Sequence, residues 1–144
     1  MTGAQACLPS DSAEMEMAVH QILSPSTRVT IRARFYYASD DPFAVTVDLS
    51  TAERDSVSWT FSRDLLDAGT RHRAGLGDVR VWPTPTLSGN RLLNLSVGTF
   101  PNSAHFFMDA ERMKKWLDRT YEIVPAGSES GVVDWEAAIA FLLA

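Results

Sequence analysis

The chain has 144 residues, of which 45% are hydrophobic and 22% charged, and a formal net charge of −5. These proportions suit one globular domain and argue against disorder, and no apolar run approaches the ~20 residues of a membrane span. Every Lys and Arg lies between Arg28 and Arg119, and the span Arg28–Val124 holds thirteen basic against twelve acidic side chains. A near-neutral body with acidic ends disfavours a strongly basic nucleic-acid protein.

Cys7 is the single cysteine, so no internal disulfide and no cysteine-built metal site is expected, in keeping with a reducing compartment. The N-terminus shows no basic segment followed by an apolar one, and the expected location is the cytoplasm.

In chain order, residues 1–27 read as a flexible extension rich in Ser and Ala, with Pro9 and Pro25 as breakers. Within it Glu14 to Leu23 reads either as a short helix, because Met15, Val19, Ile22 and Leu23 recur at helical spacing, or as disordered tail. The folded domain is expected over 28–144. It starts with a change of period to two: Val29, Ile31, Ala33 and Phe35 share one face, Arg28, Thr30, Arg32 and Arg34 the other. Ala38-Ser39-Asp40-Asp41-Pro42 is a turn, and Phe43, Val45, Val47 and Leu49 alternate with polar residues. The two runs read as an antiparallel hairpin. If Tyr37 pairs with Phe43, the register sets Arg32 opposite Asp48.

Val57, Trp59 and Phe61 predict a third strand. Ser62 caps a short helix, Arg63 to Ala68, which Gly69 ends. Gly75 and Gly77 bracket a loop, after which Val79 and Val81 alternate with Arg80 and Trp82, and Pro83 limits further pairing. A strand with Leu93, Leu95 and Val97 on one face follows, then another near Ala104 to Met108. Asp109 caps a helix whose stripe is Met113, Trp116, Leu117, Thr120, Tyr121 and Val124. Pro125 and Gly127 end it, and Asp134 begins a second helix that is apolar around most of its circumference.

Chemical motifs are sparse. His20, His72 and His105 show no ligand or catalytic spacing, and read as surface or strand residues. Asp40-Asp41 beside Pro42 is turn chemistry rather than an acid–base pair. Gly75-Leu76-Gly77-Asp78 lies between a helix and a strand, whereas phosphate cradles run from a strand into a helix, so its glycines serve a tight connection. No cofactor, metal or catalytic group is expected. Arg28, Arg32 and Arg34 recur at steps of ~6.6 Å along their strand. With Tyr36, Trp59 and Trp82 they supply ingredients of a single-strand nucleic-acid face. The near-neutral body and the Arg32–Asp48 pair favour a solvated or subunit-contact face instead.

Asp-Pro-Phe-Ala-Val at 41–45, Trp-Thr-Phe-Ser-Arg-Asp-Leu-Leu at 59–66 and Gly-Asp-Val-Arg-Val-Trp-Pro at 77–83 resemble the signature of the SsgA-like proteins of actinobacteria. Arg119–Glu129 and Asp134–Ala144 match more weakly, so the resemblance spans about 28–144. It implies an α+β fold, a single domain in which a twisted antiparallel sheet packs with helices, similar to the whirly single-strand nucleic-acid-binding proteins, with C-terminal helices and assembly as a homotrimer. It also implies a non-enzymatic role in sporulation and cell division. Such a protein is an adaptor for septum placement in the cytoplasm, concentrated at the septum without membrane insertion. Its partners would be the tubulin-like division protein FtsZ, another division protein or another SsgA-like protein; the alternative is a single-stranded nucleic-acid-binding protein. The candidate partner-binding residues are Arg71 and Arg73 on the basic loop and Arg80 and Trp82 on the outward parity of their strand.

Overall fold

Ser12–Ser24 forms strand β1, in a computed structural model that describes residues 11–51, 54–99 and 101–132. The expected helix or tail at Glu14–Leu23, and with it the flexible character of residues 12–24, is thereby corrected. Ala-Glu-Met-Glu-Met-Ala is rich in helix formers, but tertiary pairing overrides propensity. β1 pairs antiparallel with β2 (Thr27–Ala38) along nearly its whole length, and on its other side with β7 (Ala104–Asp109) through His20, Gln21 and Ile22. Ala13, Met17 and Val19 are buried, while Glu14 and Glu16 face out, the period of two that a half-buried strand requires.

With β3 (Ala44–Thr51), β4 (Arg54–Ser62), β5 (Val79–Pro85) and β6 (Arg91–Val97) these strands make one antiparallel sheet in the order β4-β3-β2-β1-β7-β6-β5. The β2–β3 register differs from the expected one by two residues: Arg34, not Arg32, faces Asp48, and Arg32 faces Ser50. The cause is a longer turn. Phe43 gives its carbonyl to the Arg63 N–H, and the chain reverses through Ala38–Ala44, where Tyr37 Oη donates to the Pro42 carbonyl at 3.0 Å. A shift of two preserves the faces, so Ile31, Ala33 and Phe35 are buried as their parity requires. Val57, expected in the core, is 57% exposed near the outer end of β4.

Helix α1 (Arg63–Gly69) has the expected cap, Ser62 Oγ accepting from the Leu65 N–H. Gly69 is its last residue for reasons of packing: a Cβ there would lie 2.1 Å from Val81 Cγ1, so α1 can press directly on β5. Gly75 and Gly77 have φ of +95° and +88°, the left-handed backbone expected of the tight connection. Helix α2 (Ala110–Ile123), capped by Asp109, lays Met113, Trp116 and Leu117 on the sheet, with Trp116 5.9 Å from the Phe35 ring. A short helix α3 (Glu129–Val132) follows. The apolar helix expected from Asp134 onward lies outside the described residues.

Arg63 is buried, with 1% of its surface exposed. Its guanidinium lies 4.7 Å from the Tyr37 ring and 4.0 Å from the Tyr121 ring, donates to the Thr120 carbonyl at 3.0 Å, and pairs with Glu129 at 2.9 Å. Glu129 also accepts from the Gly127 N–H, which fixes the turn after α2. The Arg63 hydrogen bond foremost, with backbone N–H donors beside it, holds the Glu129 carboxyl below its usual range. Burial pushes the Tyr37 and Tyr121 phenols up, keeping both neutral beside the cation.

Two predictions follow from these contacts. A chain beginning at residue 25 lacks β1 and should lose cooperative urea unfolding, whereas one beginning at residue 11 should keep it. Glu129→Ala leaves a buried cation unpaired and should cost about 3–5 kcal/mol in urea denaturation. Because the folded carboxyl titrates below its unfolded value, that contribution is fully present at neutral pH and is lost as pH falls below about 4.5 through the folded value. The wild-type advantage over the variant should shrink in that acid range and nowhere else.

Candidate protein-interaction face

Helices α1 and α2 lie on the side of the sheet where Val19, Ile31, Val81, Leu95 and Phe106 are buried. Residues of the opposite parity make the other face. Strand register places Trp82, Asn94, Phe107, His20 and Thr30 in one row across five strands, and Arg80, Ser96, His105, Ile22 and Arg28 in the next. Neither row was legible as a unit in the sequence, since it joins residues from five separated segments.

The contacts within these rows are specific. Arg73 reaches the row through the loop after α1: Ala74 forms a two-bond bridge with Val81, which sets Arg73 beside Trp82, guanidinium 5.4 Å from the ring centroid. Trp82 lies 5.1 Å from the His105 ring, and Phe107 lies 5.0 Å from His20 and 5.3 Å from the Arg28 guanidinium. Asn94 donates from Nδ2 to the Trp82 carbonyl at 3.1 Å and to Thr84 Oγ1 at 2.7 Å. Its Oδ1 is therefore the acceptor for His105 Nε2 at 3.0 Å, which assigns the proton of the neutral ring to Nε2. Burial lowers the His105 pKa.

The expected basic strand face divides in two. Arg34 pairs with Glu14 and Arg32 with Glu16 at 3.7 Å, both carboxylates coming from the strand that sequence reading took for helix or tail. Arg34 also stands opposite Asp48, so this half is charge-balanced. No carboxylate among the described residues pairs with Arg28, Arg73 or Arg80. Of the four candidate residues, Arg73 and Trp82 are in direct contact and Arg80 sits in the adjoining row, its Nε donating to the Gly77 carbonyl at 3.4 Å. Arg71 stands apart, paired with Asp67 at 2.9 Å one helical turn earlier. Sequence reading missed Arg28 over Phe107 and the Asn94–His105 bond. Outward parity was the only signal for them.

Fold and site thus define an α+β scaffold with one sheet, helices on one side and a cation–aromatic face on the other. Residues 31–129 match the family model described as Streptomyces sporulation and cell division protein, SsgA, and the chain belongs to that family. It is 37% identical to the sporulation-specific cell division protein SsgB of Frankia casuarinae over 92% of both chains. It is 34% identical to SsgB of Thermobifida fusca, over 87% of this chain and 90% of that one. The crystal structure of an SsgA-like sporulation-specific cell division protein from Thermobifida fusca superposes with a TM-score of 0.82 at 33% identity, covering 92% of this chain and 96% of that one. A second solved structure, described in terms of SsgB mutations and longitudinal cell division during sporulation of Streptomyces coelicolor, gives 0.80 at 28% identity over 86% and 97%. A place in sporulation and cell division follows from these relatives.

His105 is the group whose neutral form the fold prefers. Between pH 6.5 and its lower folded pKa the unfolded chain takes up the proton first, so stability declines as pH falls through that window. Urea unfolding at pH 7.5 and 5.5 should show this decline in the wild type and a smaller one in His105→Gln. Equal declines would place the titrating group elsewhere.

Proposed function

We propose that the protein is a non-enzymatic adaptor for septum placement during sporulation. It acts as a homotrimer in the cytoplasm at the septum, and binds FtsZ or another division protein through Arg73, Arg80 and Trp82, with Arg71 at the margin. The observation that supports this most is the cation–aromatic contact of Arg73 with Trp82, on the sheet face that the helices leave clear and without a balancing carboxylate among the described residues. Aromatic and Arg side chains of this kind are the residue types that carry protein–protein binding energy. Leu76, 97% exposed between Gly75 and Gly77 at the tip of the same loop, adds an apolar contact that a nucleic-acid ligand would not use.

The nucleic-acid alternative keeps the whirly-like sheet but loses two of its cations, because Arg32 and Arg34 are engaged by Glu16 and Glu14. Immobilised protein should bind purified FtsZ, and Arg73→Glu with Trp82→Ala should weaken that binding roughly tenfold or more, the scale of a hot spot. The melting temperature should hardly change. Absence of binding to FtsZ and to other purified division proteins, with tight oligonucleotide binding that falls steeply between 50 and 200 mM salt, would replace this reading with the nucleic-acid one.

A further inference from the structure

The two edges of the sheet are built differently. Hydrogen-bonding direction alternates along each strand of an antiparallel ladder. At β5, Val81 directs its N–H and carbonyl outward, where Ala74 takes both. Val79, Pro83 and Pro85 share that outward parity, and the two prolines have no N–H to offer. This edge is closed to a further strand.

At β4 the Arg63 N–H bonds the Phe43 carbonyl, so with the β3–β4 register Val57, Trp59 and Phe61 bond inward to β3. Ser56, Ser58 and Thr60 therefore direct their N–H and carbonyl groups outward, with no strand beyond them among the described residues. The edge is nine residues long, holds no proline, and carries uncharged Ser, Val, Ser, Trp and Thr at 56–60. Among the described residues, none of the devices that protect a free edge is present over 56–60.

We propose that β4 is a self-association edge whose occupant is β4 of a second copy, paired antiparallel about Ser58 into a continuous fourteen-stranded sheet. The segment is self-complementary. Ser56 would face Thr60 of the second copy in hydrogen-bonded pairs, with no charge repulsion across the axis. Val57, otherwise 57% exposed, would face the second copy's half-buried Trp59, a β-branched–aromatic pair of the favourable kind. The contact is two-fold, so it cannot be the ring contact of a trimer; resting on the homotrimer of the proposed function, it joins two trimers.

Two variants test it. Ser58→Pro removes an outward N–H and leaves the backbone ladder to β3 intact, losing toward β3 only the side-chain hydrogen bond of Ser58 Oγ to Asp48, so it should halve the particle mass measured by sedimentation or light scattering, with far-ultraviolet dichroism unchanged. Ser58→Cys in a Cys7→Ser background should form a disulfide-linked pair on mild oxidation, since hydrogen-bonded antiparallel partners lie roughly 5.5 Å apart at Cα, within disulfide reach. Thr46→Cys in the same background, one strand inward on β3, should not. If Ser58→Pro fails to fold, the cysteine pair decides. An odd-numbered wild-type mass, an unchanged mass in folded Ser58→Pro, or no cross-link at position 58 would each overturn the proposal, including the case in which a different protein's strand occupies the edge.

Discussion

The insertion of β1 between β2 and β7 is the constraint on which the rest of the molecule depends. Without it the chain would offer two separate three-stranded sheets, β4-β3-β2 and β7-β6-β5, with no strand to join them. β1 also settles the electrostatics of the outer face. Glu14 and Glu16 enter opposite β2 and engage Arg34 and Arg32, which turns an apparently basic strand into a balanced lattice. Arg28, Arg73 and Arg80, which pair with no carboxylate among the described residues, lie toward the other half, and Arg28 and Arg73 rest on the faces of Phe107 and Trp82.

Arg63 ties this sheet to everything outside it. One side chain touches Tyr37 of β2, the last turn of α2 through Tyr121 and Thr120, and α3 through Glu129. Its Nε has no hydrogen-bond partner among the described residues, and the two aromatic rings supply its remaining environment. Since Arg63 is also the first residue of α1, the node fixes where that helix starts. Gly69 fixes how closely it can approach β5, and together they set the origin of the loop that carries Arg73 to Trp82. A short scaffold segment thus connects a buried ion pair to an exposed contact.

Much of the architecture was legible from local rules. The parity of β2, the caps at Ser62 and Asp109, the α2 stripe and the left-handed glycines at 75 and 77 each depend on neighbours within a few residues. β1 was not, because its Met and Glu composition favours helix and its strand character comes from partners distant in sequence. The β2–β3 register failed for a similar reason: the carbonyl of Phe43 is taken by Arg63, twenty residues on, which lengthens the turn. Val57 alternates as a core residue does, but the core it would join ends before the outer part of β4. Of the candidate site, outward parity correctly grouped Arg80 with Trp82. The stacking of Arg73 on Trp82 depended on the Ala74–Val81 bridge, which no local pattern announces.

Hydrogen–deuterium exchange of the assembled protein, with and without purified FtsZ, distinguishes protein contact through the cation–aromatic face of the sheet from contact elsewhere. Contact through that face slows exchange only in Arg71–Trp82 and the adjoining β6 and β7 amides, with α2 unchanged. Slowed exchange on α2 with an unaltered Arg71–Trp82 segment would contradict it.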